Sequence, residues 1–169
     1  YAETAQARGS TEHVGYLLRC APDITYLRAL RQEWEGPLVV KGILDPEGAQ
    51  AAVAAGADAI WVSNHGGRQF DGGPAPIRQL PLIHAALGPE VPLIYDSGIR
   101  SGLDILRALA LGADFVMVGR AVHYGLAAFG AAGASHAVHI LREQLTADLC
   151  QLGCARLADL PAHLADAGR

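Results

Sequence analysis

A parallel α/β fold built from repeated strand–helix units is predicted by three features of the sequence. Short apolar runs at residues 37–40, 59–62, 91–95 and 115–118 are separated by segments of about three helical turns. The runs are continuous rather than alternating, which is the pattern of parallel strands covered on both faces. Gly-Ala-Asp occurs at 56–58 ahead of the second run and again at 112–114 ahead of the fourth, so the unit repeats. Four such units fit either a doubly wound sheet or half of a (β/α)8 barrel.

The elements follow in order. Residues 1–22 are weakly patterned, with a break at Arg8-Gly9-Ser10 and a short amphipathic stretch at 14–18. A helix is expected from about 24 to 34, capped by Asp23 or Thr25. The first strand, 37–40, ends in Lys41-Gly42. Asp45-Pro46-Glu47 opens an alanine-rich helix through Ala55, with proline favourably placed at its start. The second strand leads into Ser63-Asn64-His65-Gly66-Gly67-Arg68 and a helix over 77–87. The third ends in Asp96-Ser97-Gly98-Ile99-Arg100, with a helix over 103–111 behind it. The fourth ends in Gly119-Arg120. Apolar spacing at Val138, Leu141, Leu145 and Leu149 predicts a closing helix over 134–149, and 159–169 reads as a tail.

Composition narrows the function classes. A chain of 169 residues, 51% apolar, is long enough for a substantial core, and a formal charge of −4 does not suit a nucleic-acid partner. Cys20, Cys150 and Cys154 form no zinc-like pattern, so reduced intracellular thiols and no metal site are expected. No apolar run approaches the roughly 20 residues that span a bilayer. The chain opens at Tyr1 without a methionine, which points to a fragment or a processed piece.

Chemically capable residues cluster after each strand, the face on which parallel α/β folds carry their sites. Lys41 places a cation there. His65, three residues before Arg68 with glycines between, reads as a base beside a carboxylate anchor. Arginine grips a carboxylate bidentately, and imidazole titrates near neutral pH. Asp96 can accept from polyol hydroxyls, while Arg100 and Arg120 with the amides of Gly98 and Gly119 suit a phosphate dianion. The plainer alternative for the two arginines is a pair of surface ion pairs. His13, His84, His123, His136 and His139 lack such context and are read as structural, as are Cys150 and Cys154, which are four apart and can share a helix face.

The series Val40-Lys41-Gly42, Ser63 to Gln69, Asp96 to Arg100 and Leu111-Gly112-Ala113 through Gly119-Arg120 resembles the FMN-dependent α-hydroxy-acid dehydrogenase and oxidase family. The resemblance runs over about 23–160 and implies a (β/α)8 TIM barrel of which this chain supplies the last four βα units plus a C-terminal helix. Residues 1–22 would be a variable loop segment and 23–169 the C-terminal half of the domain. It further implies oxidation of a small L-2-hydroxy acid, lactate- or mandelate-like, to the 2-keto acid, with His65 as base and Arg68 as anchor. Lys41, Ser63, Asp96, Ser97, Gly98, Arg100, Gly119 and Arg120 would contact FMN. Asp-Ser-Gly-Ile-Arg and Gly-Arg-Ala look more like the dehydrogenases than the oxidases.

The expected partners are the N-terminal half of the same barrel, which would carry the aspartate that orients the histidine, an electron acceptor (quinone, cytochrome or O2) and further copies in an oligomer. The expected location is cytoplasmic or peripheral at the inner membrane. The alternatives are an oxidase using O2 and a non-catalytic half-barrel that binds FMN or phosphate.

Overall fold

A computed structural model describes residues 22–164. The stretch at 14–18, His13, Cys20 and all but the last residue of the expected variable loop lie outside the described residues.

Helix α1 (Ile24–Glu33) starts where Asp23 accepts the Tyr26 amide at 2.9 Å. Strands β1 (Val39–Ile43), β2 (Ala59–Val62), β3 (Leu93–Tyr95) and β4 (Phe115–Val116) form one parallel sheet in that order. A doubly wound sheet reverses its strand order at a switch point. Sequential order without reversal is the half-barrel arrangement. The Gly-Ala-Asp repeat has a direct physical cause: Asp58 accepts the Leu38 amide at 2.7 Å and Asp114 accepts the Leu93 amide at 2.8 Å. Each aspartate thus fixes the start of the neighbouring strand.

Helices α2 (Pro46–Ala54), α3 (Pro76–Leu87) and α4 (Gly102–Ala110) pack against the sheet. The core between them is Ala49, Ala52, Ile60, Val62, Leu80, Ile83, Leu93 and Ala108. Ile60 and Val62 point into it, so Trp61 points to the opposite face. That face is open among the described residues: Val39 is 40% exposed and Phe115 60%. The expectation of strands covered on both sides therefore holds on the helix side alone.

Several boundaries differ from the sequence reading. The first strand begins two residues later than expected and runs through Lys41 to Ile43, because Lys41 pairs with Trp61 and a register shift follows at Gly42, whose φ is 100°. The third and fourth strands are shorter than their apolar runs. The closing helix, α5 (Arg120–Leu152), starts fourteen residues before the expected 134, interrupted where Phe129 and Gly130 leave helical angles. At that break the chain folds back closely. A Cβ on Gly125 would meet the Gly133 carbonyl oxygen at 2.4 Å, and one on Gly133 the Gly125 oxygen at 2.0 Å. The expected tail instead forms a 3-10 turn (Leu157–His163) whose Leu160 is fully buried against Leu106, Ala110 and Cys154. Burial of such a side chain contributes about 2 kcal/mol, which explains why the segment is held. Cys150 is exposed and Cys154 buried, on either side of left-handed Gly153, so they do not share a face. No helix among the described residues is long and apolar enough to cross a membrane.

Helix α4 meets α5 at Gly102, whose amide donates to Gln144 Oε1 at 3.0 Å and whose added Cβ would lie 2.2 Å from the Leu145 nitrogen. Gly102→Ala should therefore force the helices apart and cost about 1–3 kcal/mol. Urea unfolding with an unchanged midpoint would contradict this.

Candidate active site at the strand ends

The strand ends converge on a cleft of about 290 Å³ lined by Lys41, Trp61, His65, Arg68, Asp96, Arg100, Gly119 and Arg120, among others. Nine of the ten expected site residues line it. The tenth, Ser63, is buried directly behind it.

The Asp96 carboxylate joins the parts. It pairs with the Lys41 ammonium at 3.3 Å and accepts the Ser97 hydroxyl at 2.6 Å and the Ser63 hydroxyl through a short hydrogen bond. Lys41 also donates to Ser63 Oγ at 3.0 Å and lies 4.8 Å from the centre of the Trp61 ring. The Lys41 cation expected at this strand end is thus held by a carboxylate, a hydroxyl and an indole. Strand pairing causes this, since Lys41 is opposite Trp61 and the strand ends at Ser63 and Asp96 are adjacent.

His65 begins a 3-10 turn (His65–Gly67) with φ 55°, uncommon for a residue with a side chain. Asn64 steadies the turn by accepting the Gly67 amide at 3.2 Å. The imidazole is exposed and has no ion-pair partner among the described residues. Arg68 follows at the end of the turn, its side chain exposed into the same cleft. His65 and Lys41 also line a second hollow of about 400 Å³ with Leu44, Gln69 and Phe70.

At the other end of the cleft the two helix N-termini differ. Ser101 and Asp104 form a capping box that satisfies α4 internally, and Asp104 also accepts the Arg100 amide at 3.1 Å. Helix α5 opens at Gly119 with no side-chain cap, so its end is available to an anion. Arg120 donates to the Gly66 carbonyl at 3.3 Å, linking this end to the turn that carries His65. Neither Arg100 nor Arg120 has a carboxylate partner among the described residues, which argues against the surface ion-pair alternative.

Trp61, Ile99, Met117, Val118 and His123 also line the cleft and were not anticipated. His123 was read as structural. Its place one turn after Arg120 on α5 is the signal that puts it at this mouth. Trp61 looked like strand filling, and only its register opposite Lys41 reveals its position.

The model of the FMN-dependent dehydrogenase family matches residues 1–166. This chain belongs to that family. It is 46% identical to an L-lactate oxidase of Alicycliphilus denitrificans over 94% of its own length and 44% of the relative's. It is 44% identical to an L-lactate dehydrogenase of Ectopseudomonas mendocina, over 92% and 42%. Among solved structures it matches an (S)-mandelate dehydrogenase described as a monotopic membrane protein, with TM-score 0.85, 38% identity, and 96% and 44% coverage. A mandelate oxidase variant with (S)-mandelic acid matches at TM-score 0.78 and 42% identity, over 82% and 41%. The chain thus spans about two-fifths of the length of these relatives, and its four units are the C-terminal part of a TIM barrel.

The family's cofactor is FMN, and the residues present fit it. A Cβ on Gly98 or on Gly119 would project into open space with nothing within 4 Å, so both backbones can be approached by a phosphate. Arg100, Arg120 and the uncapped end of α5 supply matching positive charge, and the hydroxyl-accepting Asp96 lies next to them.

Tyr95 supports this face from below. Its hydroxyl donates to the Ser97 carbonyl at 2.8 Å, and its pKa is pushed up to about 12 by burial and then by the charges of Asp96 and Asp104. The folded state holds the phenolic proton more tightly than the unfolded chain. Its stabilising contribution is whole below about pH 10, the ordinary tyrosine value, and is lost as pH rises through about 12. Tyr95→Phe should flatten the loss of stability between pH 10 and 12. An alkaline unfolding profile identical to that of the unaltered protein would count against it.

Proposed function

We propose that the protein containing this chain oxidises an L-2-hydroxy acid, lactate- or mandelate-like, to the 2-keto acid. The observation that carries the reading is the presence of His65, Arg68 and Lys41 in one cleft whose far end is cationic and uncapped. Arg68 grips the substrate carboxylate with its planar fork and fixes the α-carbon. His65 takes the proton from that carbon as general base. Lys41, held by Asp96 and Ser63, offers a fixed positive charge beside the ring system of the cofactor. Asp96 accepts from the polyol chain, while Gly98, Arg100, Gly119 and Arg120 hold the phosphate. Ser63 and Ser97 complete the cofactor-facing shell. FMN, when bound, supplies the two-electron sink.

The other half of the barrel is the required partner. It would cover the open inner face of the sheet and bring the carboxylate that orients His65. The similarity to dehydrogenases favours a quinone or cytochrome as acceptor, although the relative named as an oxidase keeps O2 as the alternative. A peripheral position at the cytoplasmic side of a membrane suits the first and a soluble oligomer the second. The exposed inner face also supports a second reading, an FMN- or phosphate-binding half-barrel without catalysis. Mass spectrometry of the purified protein separates the two readings, because a co-eluting N-terminal half is required only by the enzyme.

The product of the full gene should be yellow, and L-lactate or (S)-mandelate should bleach it without oxygen. Protein that binds no flavin refutes the proposal. Turnover sustained by O2 alone identifies an oxidase, and turnover in air only when another electron acceptor is added identifies a dehydrogenase. His65→Gln should keep FMN bound and slow bleaching by about 10²- to 10⁴-fold. Arg68→Lys should raise KM far more than it alters FMN affinity, since a point charge replaces a bidentate fork.

A further inference from the structure

We infer that Ser97 is a positioning residue for the His65 base, an inference that rests on the function proposed above. Among the described residues two non-glycine residues have positive φ, His65 at 55° and Ser97 at 81°. The left-handed region favours glycine, so a side chain kept there points to a use for it. The Ser97 hydroxyl has one. Its oxygen accepts the Asn64 amide at 3.3 Å and the Gly66 amide at 3.2 Å, from the residues on either side of His65. The amide of His65 itself donates to Ser63 Oγ at 3.0 Å. Three successive amides of the turn are thus held by two hydroxyls. Both hydroxyls donate in turn to one oxygen of Asp96, whose other oxygen pairs with Lys41. Ser97 is the link between the third strand end and the turn that presents the base. The Tyr95 hydroxyl, bonded to the Ser97 carbonyl, fixes the peptide from the other side.

Without the Ser97 hydroxyl, two amides beside His65 lose their acceptor and the imidazole loses its fixed placement. The test uses the FMN-loaded product of the full gene and compares Ser97→Ala with Ser97→Gly. The first removes the hydroxyl and keeps the backbone strain. The second removes both, so it remains informative where the alanine variant folds poorly. Each should lose about 10²-fold in kcat at saturating FMN with KM changed by less than about 3-fold, as misplacement of a catalytic group predicts. Each should also show a larger kinetic isotope effect with the α-deuterated hydroxy acid. Hydrogen exchange at residues 64–66 should quicken in both variants.

Wild-type kcat and isotope effect in Ser97→Gly would overturn the inference. So would full recovery of turnover on adding FMN, which would assign Ser97 to cofactor binding alone. If the unaltered protein oxidises no hydroxy acid, the proposed function fails separately. Unchanged exchange at Asn64 and Gly66 then decides against the positioning role, and faster exchange supports it.

Discussion

A single carboxylate, that of Asp96, holds the strand-end face together. It pairs with a lysine from β1, accepts a hydroxyl from the end of β2 and accepts another from its own loop. None of these groups would keep its place alone. A long lysine stem has several rotamers to lose, and two serines with no common acceptor would turn to water. Sharing one acceptor between adjacent strand ends removes that freedom at a point where the backbone has already left the sheet. The turn that carries His65 and Arg68 is therefore an extension of the sheet rather than a free loop, and such support is what a site needs to hold its geometry.

The cationic end is ordered by different means. Its placement depends on how α5 leaves β4, bends at Phe129–Gly130 and returns along itself with Gly125 against Gly133. Close approach of two backbones keeps the first segment of α5 short and fixed, with Arg120 at its start. The capping box on α4 matters as much. By satisfying its own first turn with Ser101 and Asp104, α4 leaves the neighbouring uncapped terminus as the better anion site.

Much of this could be read from residue order, and the failures have physical causes. Apolar runs located all four strands, and Gly-Ala-Asp marked two of them because each aspartate stands just before one strand while anchoring the start of its neighbour. Their lengths were misjudged, since apolar character continues past the point where pairing ends, as at Val118. Lys41 was placed after its strand because charge usually marks an end, while the register opposite Trp61 extends the strand through it. The early start of α5 was hidden by a glycine- and alanine-rich stretch with no helical periodicity. Leu160 was taken for tail because its segment is short and interrupted by Pro161, so the leucines there give no sustained helical pattern. At the site, residue type together with position after a strand was enough to bring His65, Arg68, Arg100 and Arg120 to one cleft. The bonds that join Ser63 to Asp96, and the Asn64 and Gly66 amides to Ser97, were not readable, because they run between strand ends some thirty residues apart.

The sequential order of the strands has a consequence for synthesis. Each strand pairs with the one made just before it, so on emergence every βα unit already has its docking edge and the early contacts close short loops. Lys41 and Ser63 can meet as soon as β2 is in place, but they have no shared counter-charge until the chain has been extended past Asp96. Before that moment Lys41 has the Ser63 hydroxyl and the Trp61 ring to hold it, but no carboxylate. The turn bearing the base is therefore fixed by a residue translated after it, and the site acquires its shape in the reverse of the order in which its chemistry is written.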